Sequence, residues 1–163
     1  MNRLPLTPKG HAALVEELKN RVQIERPRLI ERIQDSISGD TNLVENSEYQ
    51  ATTTERELNE ARIAELEDKI ARAEVINVAR LSGNVVKFGA TVTLIDEDTG
   101  EKKTWQIVGE SEADARNRKI SVASPLARAL IGRAKSAVVE VNTPGGAKAY
   151  KIDRIDWGDP LNR

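Results

Sequence analysis

Two long stretches with apolar residues three or four apart, separated by a short glycine-containing turn, constrain this chain more than anything else in it. Leu14, Leu18, Val22, Leu29, Ile33 and Ile37 recur at such intervals or simple multiples of them. Glu, Lys and Arg fill the positions between, as on a solvated helix. Thr7-Pro8 supplies a start, a threonine that can cap followed by a proline whose missing N–H costs nothing in a first turn. Ile63, Leu66, Ile70 and Ala73 follow at 3-4-3 spacing, the seam of a coiled coil. Between the two stretches, Ser38-Gly39-Asp40-Thr41-Asn42 is turn chemistry, with Gly39 free to take positive φ. The pattern predicts an antiparallel helical hairpin, one arm from Pro8 to about Ile37 and the other from about Asn46 to about Glu74. Arms of about 30 residues reach about 45 Å at 1.5 Å per residue. Pro27 removes a backbone hydrogen bond from the first arm and is expected to bend it.

The charges are distributed to match. Residues 1–32 carry a net +3 and residues 55–75 a net −3, while residues 33–54 hold Asp35, Asp40, Glu45 and Glu48 and no lysine or arginine. Arms of opposite sign suit helices paired side by side. Over the whole chain the net charge is only −1, so a nucleic acid or an anionic membrane would have to be met by a local patch. The first-arm bases Lys9, Lys19, Arg21, Arg26, Arg28 and Arg32 read first as a solvated face, and a nucleic-acid contact through them is the lesser reading. No stretch approaches the roughly 20 apolar residues of a membrane span, and the first residues lack a signal-peptide core. The chain has no cysteine and one histidine, His11, which excludes disulfides, thiolate metal sites and most zinc sites. The expectation is a cytoplasmic protein that makes no membrane contact.

After Val78 the period changes from helix to strand. Residues 84–95 alternate and end in Asp96-Glu-Asp-Thr-Gly100, a hairpin turn signal, and residues 103–108 answer it. Lys119–Val122 is a further strand. Ser124-Pro125 opens a short helix from Leu126 to Ile131, closed by Gly132. Residues 137–141, the turn Thr143-Pro-Gly-Gly146 and residues 149–155 make a closing hairpin, and the residues beyond Trp157 read as a tail. The fold class is therefore α+β, a coiled-coil hairpin over residues 1–76 with its acidic tip near 38–48, then an antiparallel sheet domain with one short helix over residues 77–163.

The acidic turn is the candidate site. Two carboxylates at the end of a rigid hairpin can offer oxygen ligands to a divalent cation, but two oxygens do not complete an octahedral Mg²⁺ shell, so such a tip would share its metal with another macromolecule. The plainer reading keeps Asp40 as an ordinary turn residue and Glu45 as a carboxylate favoured by the dipole of the second helix. Other features have plain readings too. Ser124 is a cap before it is a nucleophile, Trp105 and Trp157 are packing residues, and Thr143-Pro-Gly-Gly lacks the spacing of a phosphate loop.

Several segments point the same way at once. The turn Gly39-Asp40-Thr-Asn-Leu-Val-Glu45-Asn46-Ser-Glu48-Tyr49, with Leu6-Thr-Pro-Lys-Gly, Arg26-Pro27, Phe88-Gly-Ala-Thr-Val, Ile120-Ser-Val-Ala-Ser-Pro-Leu-Ala-Arg-Ala-Leu-Ile-Gly132 and Thr143-Pro-Gly-Gly, closely resembles the Gre family of bacterial transcription elongation factors. The resemblance runs the length of the chain. It implies a hairpin that enters the secondary channel of a backtracked bacterial RNA polymerase, and an FKBP-like C-terminal domain that docks on the channel rim. The tip carboxylates Asp40 and Glu45 would then help hold an Mg²⁺ of the polymerase active centre near the nascent RNA 3′ end, with Asn42, Asn46, Glu48 and Tyr49 shaping the tip. The polymerase, not this chain, would cut the RNA. The only metal implied is that shared Mg²⁺. Docking would run through Ser124, Pro125 and Arg128, and the chain is expected to act as a monomer. At the tip, Asp40 stands five residues before Glu45, where the family pattern is Asp-x-x-Glu, and Asn42 takes the three-before position. That leaves a second reading open, a Gre-like regulator that binds the same channel without promoting cleavage. A third, a peptidyl-prolyl isomerase, follows from the FKBP-like fold alone, and fold alone does not carry activity.

Overall fold

The computed structural model describes residues 2–78 and 81–157. The chain packs as two units. One runs from His11 to Ala73, and the other combines Arg3–Gly10 with the chain from Glu74 onward.

The first unit is the hairpin. Helix α1 spans Pro8–Asn20 and helix α2 spans Arg26–Gly39, joined by a π-helical turn at Arg21–Glu25. Helix α3, Ser47–Arg72, returns alongside α2. The break expected at Pro27 lies just upstream of it. A proline nitrogen cannot donate and its ring crowds the carbonyl one turn back. The chain widens instead, and Arg26 N–H bonds Arg21 O, five residues back. Arg21 O also accepts from the Asn59 side-chain amide at 3.3 Å, so the partner helix holds the widened turn. Ser36, rather than the expected Ile37, is buried, and Ile37 is 37% exposed. Leu14, Leu29, Ile63 and Leu66 are buried apolar residues of this unit, and Ser36, Thr52 and Asn59 are buried polar ones. The arms are tied by ion pairs that run in both directions between them. Glu17 takes the Arg62 guanidinium through two hydrogen bonds of 2.8 Å and Arg21 Nε at 2.7 Å. Arg26 grips Glu60 through two more, at 2.7 and 2.9 Å, and Arg32 reaches Glu55 at 3.1 Å.

The second unit is a five-stranded sheet with a helix on it. Strands β3 (Ala90–Asp96), β4 (Lys102–Val108), β5 (Lys119–Ser121), β6 (Val138–Thr143) and β7 (Gly146–Trp157) lie in the order β5-β4-β3-β7-β6. Pairing is antiparallel except at one edge, where β5 joins β4 in parallel, so the sheet is mixed rather than wholly antiparallel. The parallel step is possible because the connection contains two short 3₁₀ turns, Glu110–Glu112 and Ala115–Asn117, enough chain for a crossover. The strand expected from residue 84 begins only at Ala90. Gly89 sits at φ +86°, where a Cβ would meet Val78 Cγ1 at 2.1 Å, and upstream of it Val85 makes a single bridge to Ala134. Helix α4, Pro125–Leu130, covers one face, and Ala127 and Leu130 pack with Val86, Val92, Ile107 and Ile152 in the core.

The first ten residues, read from the sequence as part of the hairpin, mostly belong to this second unit. Strand β1 (Leu4–Leu6) pairs with β2 (Ala73–Val75) in a separate two-stranded sheet. Thr7 donates its backbone N–H, at 3.1 Å, and its hydroxyl to the Glu112 carboxylate. That carboxylate also accepts from Gly109 N–H at 2.9 Å. The Thr7 oxygen in turn caps α1 by accepting from Gly10 N–H at 3.1 Å. The residues read as a tail after Trp157 lie outside the described residues. Among the described residues, no helix is long and apolar enough to cross a membrane.

Candidate functional site at the hairpin tip

The tip is a built loop, organised by Asn46. Its side chain is 6% exposed and its polar atoms are committed. The carbonyl oxygen caps α3 by accepting from Tyr49 N–H at 3.0 Å. The amide donates to Ser36 O at 2.9 Å and Asp40 O at 2.8 Å. One residue thus joins the carbonyl-rich end of α2 to the N–H-rich start of α3, satisfying groups that helix ends leave open. Asn46 N–H also closes onto Asn42 O at 2.9 Å, and Gln50 Nε2 reaches Val44 O at 2.6 Å and Leu43 O at 3.3 Å. Gly39 ends α2 without needing positive φ, because Asp40 makes the reversal in an extended conformation, φ −152° and ψ 115°.

The expected carboxylates sit on this frame. Asp40 is exposed at the end of α2, and its Oδ1 accepts from Asn42 N–H at 3.0 Å. Glu45 is exposed in the turn directly before Asn46. Glu48 lies in the first turn of α3, where the helix dipole favours it, and Tyr49 beside it is half-buried. Asn42 is exposed, its backbone N–H spent on Asp40 and its carbonyl on Asn46. No group of three or more histidine, cysteine or carboxylate side chains placed to hold a metal occurs among the described residues. Asp40 and Glu45 are hard oxygen donors suited to Mg²⁺, but as a pair they make an incomplete set. Gln50 and the exposed pair Leu43 and Val44 were not singled out from the sequence. Gln50 four residues after an N-capping Asn46 was the one available signal.

In the second unit, Ser124 caps α4, its Oγ accepting from Ala127 N–H at 3.3 Å, with Pro125 in the first turn. The hydroxyl is therefore committed as a cap. Arg128 is exposed and forms no ion pair among the described residues. The next residue after Pro125, Leu126, lines a cleft of about 190 Å³ with Leu94, Trp105 and Tyr150. The first-arm arginines Arg21, Arg26, Arg28 and Arg32 are engaged by carboxylates within the hairpin.

The chain thus combines a paired-helix arm, ending in an acidic loop braced by Asn46 and Gln50, with a separate sheet unit. Residues 4–75 match the family description "Transcription elongation factor, N-terminal". Residues 81–156 match "Transcription elongation factor, GreA/GreB, C-term". The protein called Transcription elongation factor GreA from Nitrobacter hamburgensis is 60% identical over 158 residues, covering 96% of this chain and 99% of that protein. Its namesake from Bradyrhizobium diazoefficiens is 59% identical with the same coverage. Among solved structures, GreA factor homolog 1 of Thermus thermophilus is 29% identical over 95% of this chain and 99% of its own, with a TM-score of 0.43. The chain belongs to the GreA/GreB family of transcription elongation factors.

Proposed function

We propose that this chain is a transcript-cleavage elongation factor whose hairpin enters the secondary channel of RNA polymerase and whose tip completes the polymerase's own nuclease centre. The observation that carries the reading is the tip itself. Two exposed carboxylates stand on a loop fixed by Asn46 and Gln50, in a stretch from residue 33 to 54 without lysine or arginine. A negative tip is drawn toward a site already occupied by cations, and a basic residue there would oppose entry. Asp40 and Glu45 offer oxygens to an Mg²⁺ that the polymerase holds, which supplies Lewis-acid clamping of the attacking and leaving oxygens in phosphodiester hydrolysis. Among the described residues Glu45 has no partner to surrender. Asp40 keeps one oxygen on Asn42 N–H and offers the other. Asn46 and Gln50 prevent the loop from collapsing when the tip is desolvated, so little ordering remains to be done at binding. Ser124, Pro125 and Arg128 are the docking surface we assign to the channel rim, with the chain working as a monomer.

The competing reading, a channel-binding regulator that does not promote cleavage, has one observation in its favour. The Asp40 carboxylate is tied into its own turn by Asn42 N–H, five residues ahead of Glu45. Purified protein added to backtracked complexes separates the two. We expect stimulated cleavage, lost by at least a hundredfold in Glu45→Ala and Asp40→Ala while polymerase binding persists. Binding without stimulation by the unsubstituted protein assigns the regulator role.

A further inference from the structure

The tip carries an apolar feature that the carboxylate chemistry does not use. Val44 is 83% exposed and Leu43 is 40% exposed, adjacent residues in the turn that also bears Glu45. Single exposed apolar residues are ordinary on a protein surface. This pair differs in how it is held. The backbone carbonyls of both residues accept from the same Gln50 amide, and the turn is closed behind them by Asn46 N–H on Asn42 O. Two aliphatic side chains are thus presented from a backbone already fixed, so their burial against a partner costs little further ordering.

Resting on the channel-binding reading above, we infer that Leu43 and Val44 form an apolar knob that seats in a hollow of the polymerase wall, lined by aliphatic side chains and rimmed by basic ones. Charge complementarity selects that occupant. Asp40, Glu45 and Glu48 flank the pair along the chain, and no base lies between residues 33 and 54 to offset them. A nucleic-acid strand would bring its phosphates against these carboxylates. A protein surface with lysine or arginine at its edge pairs with them while the aliphatic groups leave water at the centre, the usual arrangement of an apolar anchor inside a polar rim. The carboxylates then steer and the knob fixes depth. Glu45 reaches the metal only as far as the aliphatic pair beside it is allowed to go.

The test measures affinity for core polymerase without nucleic acid, and again for backtracked complexes, for Val44→Ser, Leu43→Ser, the double variant and the conservative Val44→Ile. Both side chains are exposed in the free protein, so unchanged helical content and melting are expected in all of them. The double variant should raise the half-saturating concentration about tenfold in both settings, with Val44→Ile close to the unsubstituted protein. More protein should restore its cleavage, unlike that of Glu45→Ala. An unchanged half-saturating concentration overturns the knob. A loss seen only when transcript is present assigns the contact to RNA and overturns the protein hollow. Failure of the unsubstituted protein to stimulate cleavage while the affinity losses hold would sink the cleavage reading and leave the knob standing. Failure to bind polymerase at all would remove both.

Discussion

At the scale of single residues, Asn46 carries more of the tip than either carboxylate does. It caps one helix, receives the end of another, and is almost fully buried. Asn46→Ala removes the cap and leaves Asp40 O without its donor, so we expect a loss of about 2 kcal/mol in hairpin stability, read by chemical denaturation followed at helical wavelengths. Asn46→Asp keeps the capping oxygen but turns the donors to Ser36 O and Asp40 O into an acceptor, and should recover only part of it. Asn46 was legible as a tip residue because helix starts advertise themselves locally, with an Asx residue before the first turn. Its second task was not, because Ser36 lies ten residues away on the other arm and only the closed turn brings them together.

The two arms show where sequence pattern stops at the scale of elements. Opposite net charges predicted pairing, and Arg26 with Glu60 and Arg32 with Glu55 bear it out, while Arg62 with Glu17 pairs in the reverse sense. The π turn was visible only as a proline. The widened bond from Arg26 N–H to Arg21 O was not, since the sequence does not show how the chain accommodates the missing donor. The strand at Lys119–Ser121 was legible as apolar alternation, but three residues carry no signal of parallel pairing. The clasp of Thr7 by Glu112 spans 105 positions, beyond any local spacing rule. The ion pairs also set how the hairpin responds to acid. The hydrogen bond from Arg62 is the largest influence holding the Glu17 carboxyl at about 2, below its ordinary 4.5; burial opposes it, and the bond from Arg21 adds to the lowering. Arg26 lowers Glu60, and Lys69 with Arg62 lowers Glu65, in the same direction. A depressed carboxylate stabilises fully above its unfolded value and loses that contribution as pH falls through the folded one. Hairpin stability should therefore decline from pH 4.5 toward 2. Glu17 is 32% exposed, so solvent screening trims its contribution to about 1 kcal/mol. Thermal melts of Glu17→Gln should show that loss at pH 7 and a shallower decline below 4.5. A decline as steep as in the unsubstituted protein would assign the acid response to other groups.

At the scale of the whole molecule, the two units are stabilised by different means, and that division matches the work proposed for each. The hairpin seam is apolar at Leu14, Ile63 and Leu66 but polar at Ser36, Thr52 and Asn59. The Thr52 hydroxyl is fully buried with no hydrogen-bond partner among the described residues, a cost of about 1 kcal/mol. Polar seam positions fix register at the expense of stability, and register is what a probe with its carboxylates at one end must keep. The sheet unit is centred on an apolar cluster that includes Val92, Leu94, Ile107, Leu130 and Ile152, each 1% exposed or less. Separate cores of unequal quality make a single two-state transition a poor description of such a chain. Calorimetry should resolve two transitions, with the hairpin melting first. Thr52→Val, nearly the same shape without the stranded hydroxyl, should raise only the lower transition. Leu130→Ala, which opens a cavity under α4 and costs about 3 kcal/mol, should lower only the upper one. If both substitutions shift one common transition, the cores are coupled and the hairpin draws its rigidity from the sheet unit. If they separate, the unpartnered Thr52 hydroxyl costs stability without setting register, which Asn59 holds through its bonds across the arms to Arg21, and Thr52→Val should leave the position of the tip carboxylates, and so cleavage, unchanged.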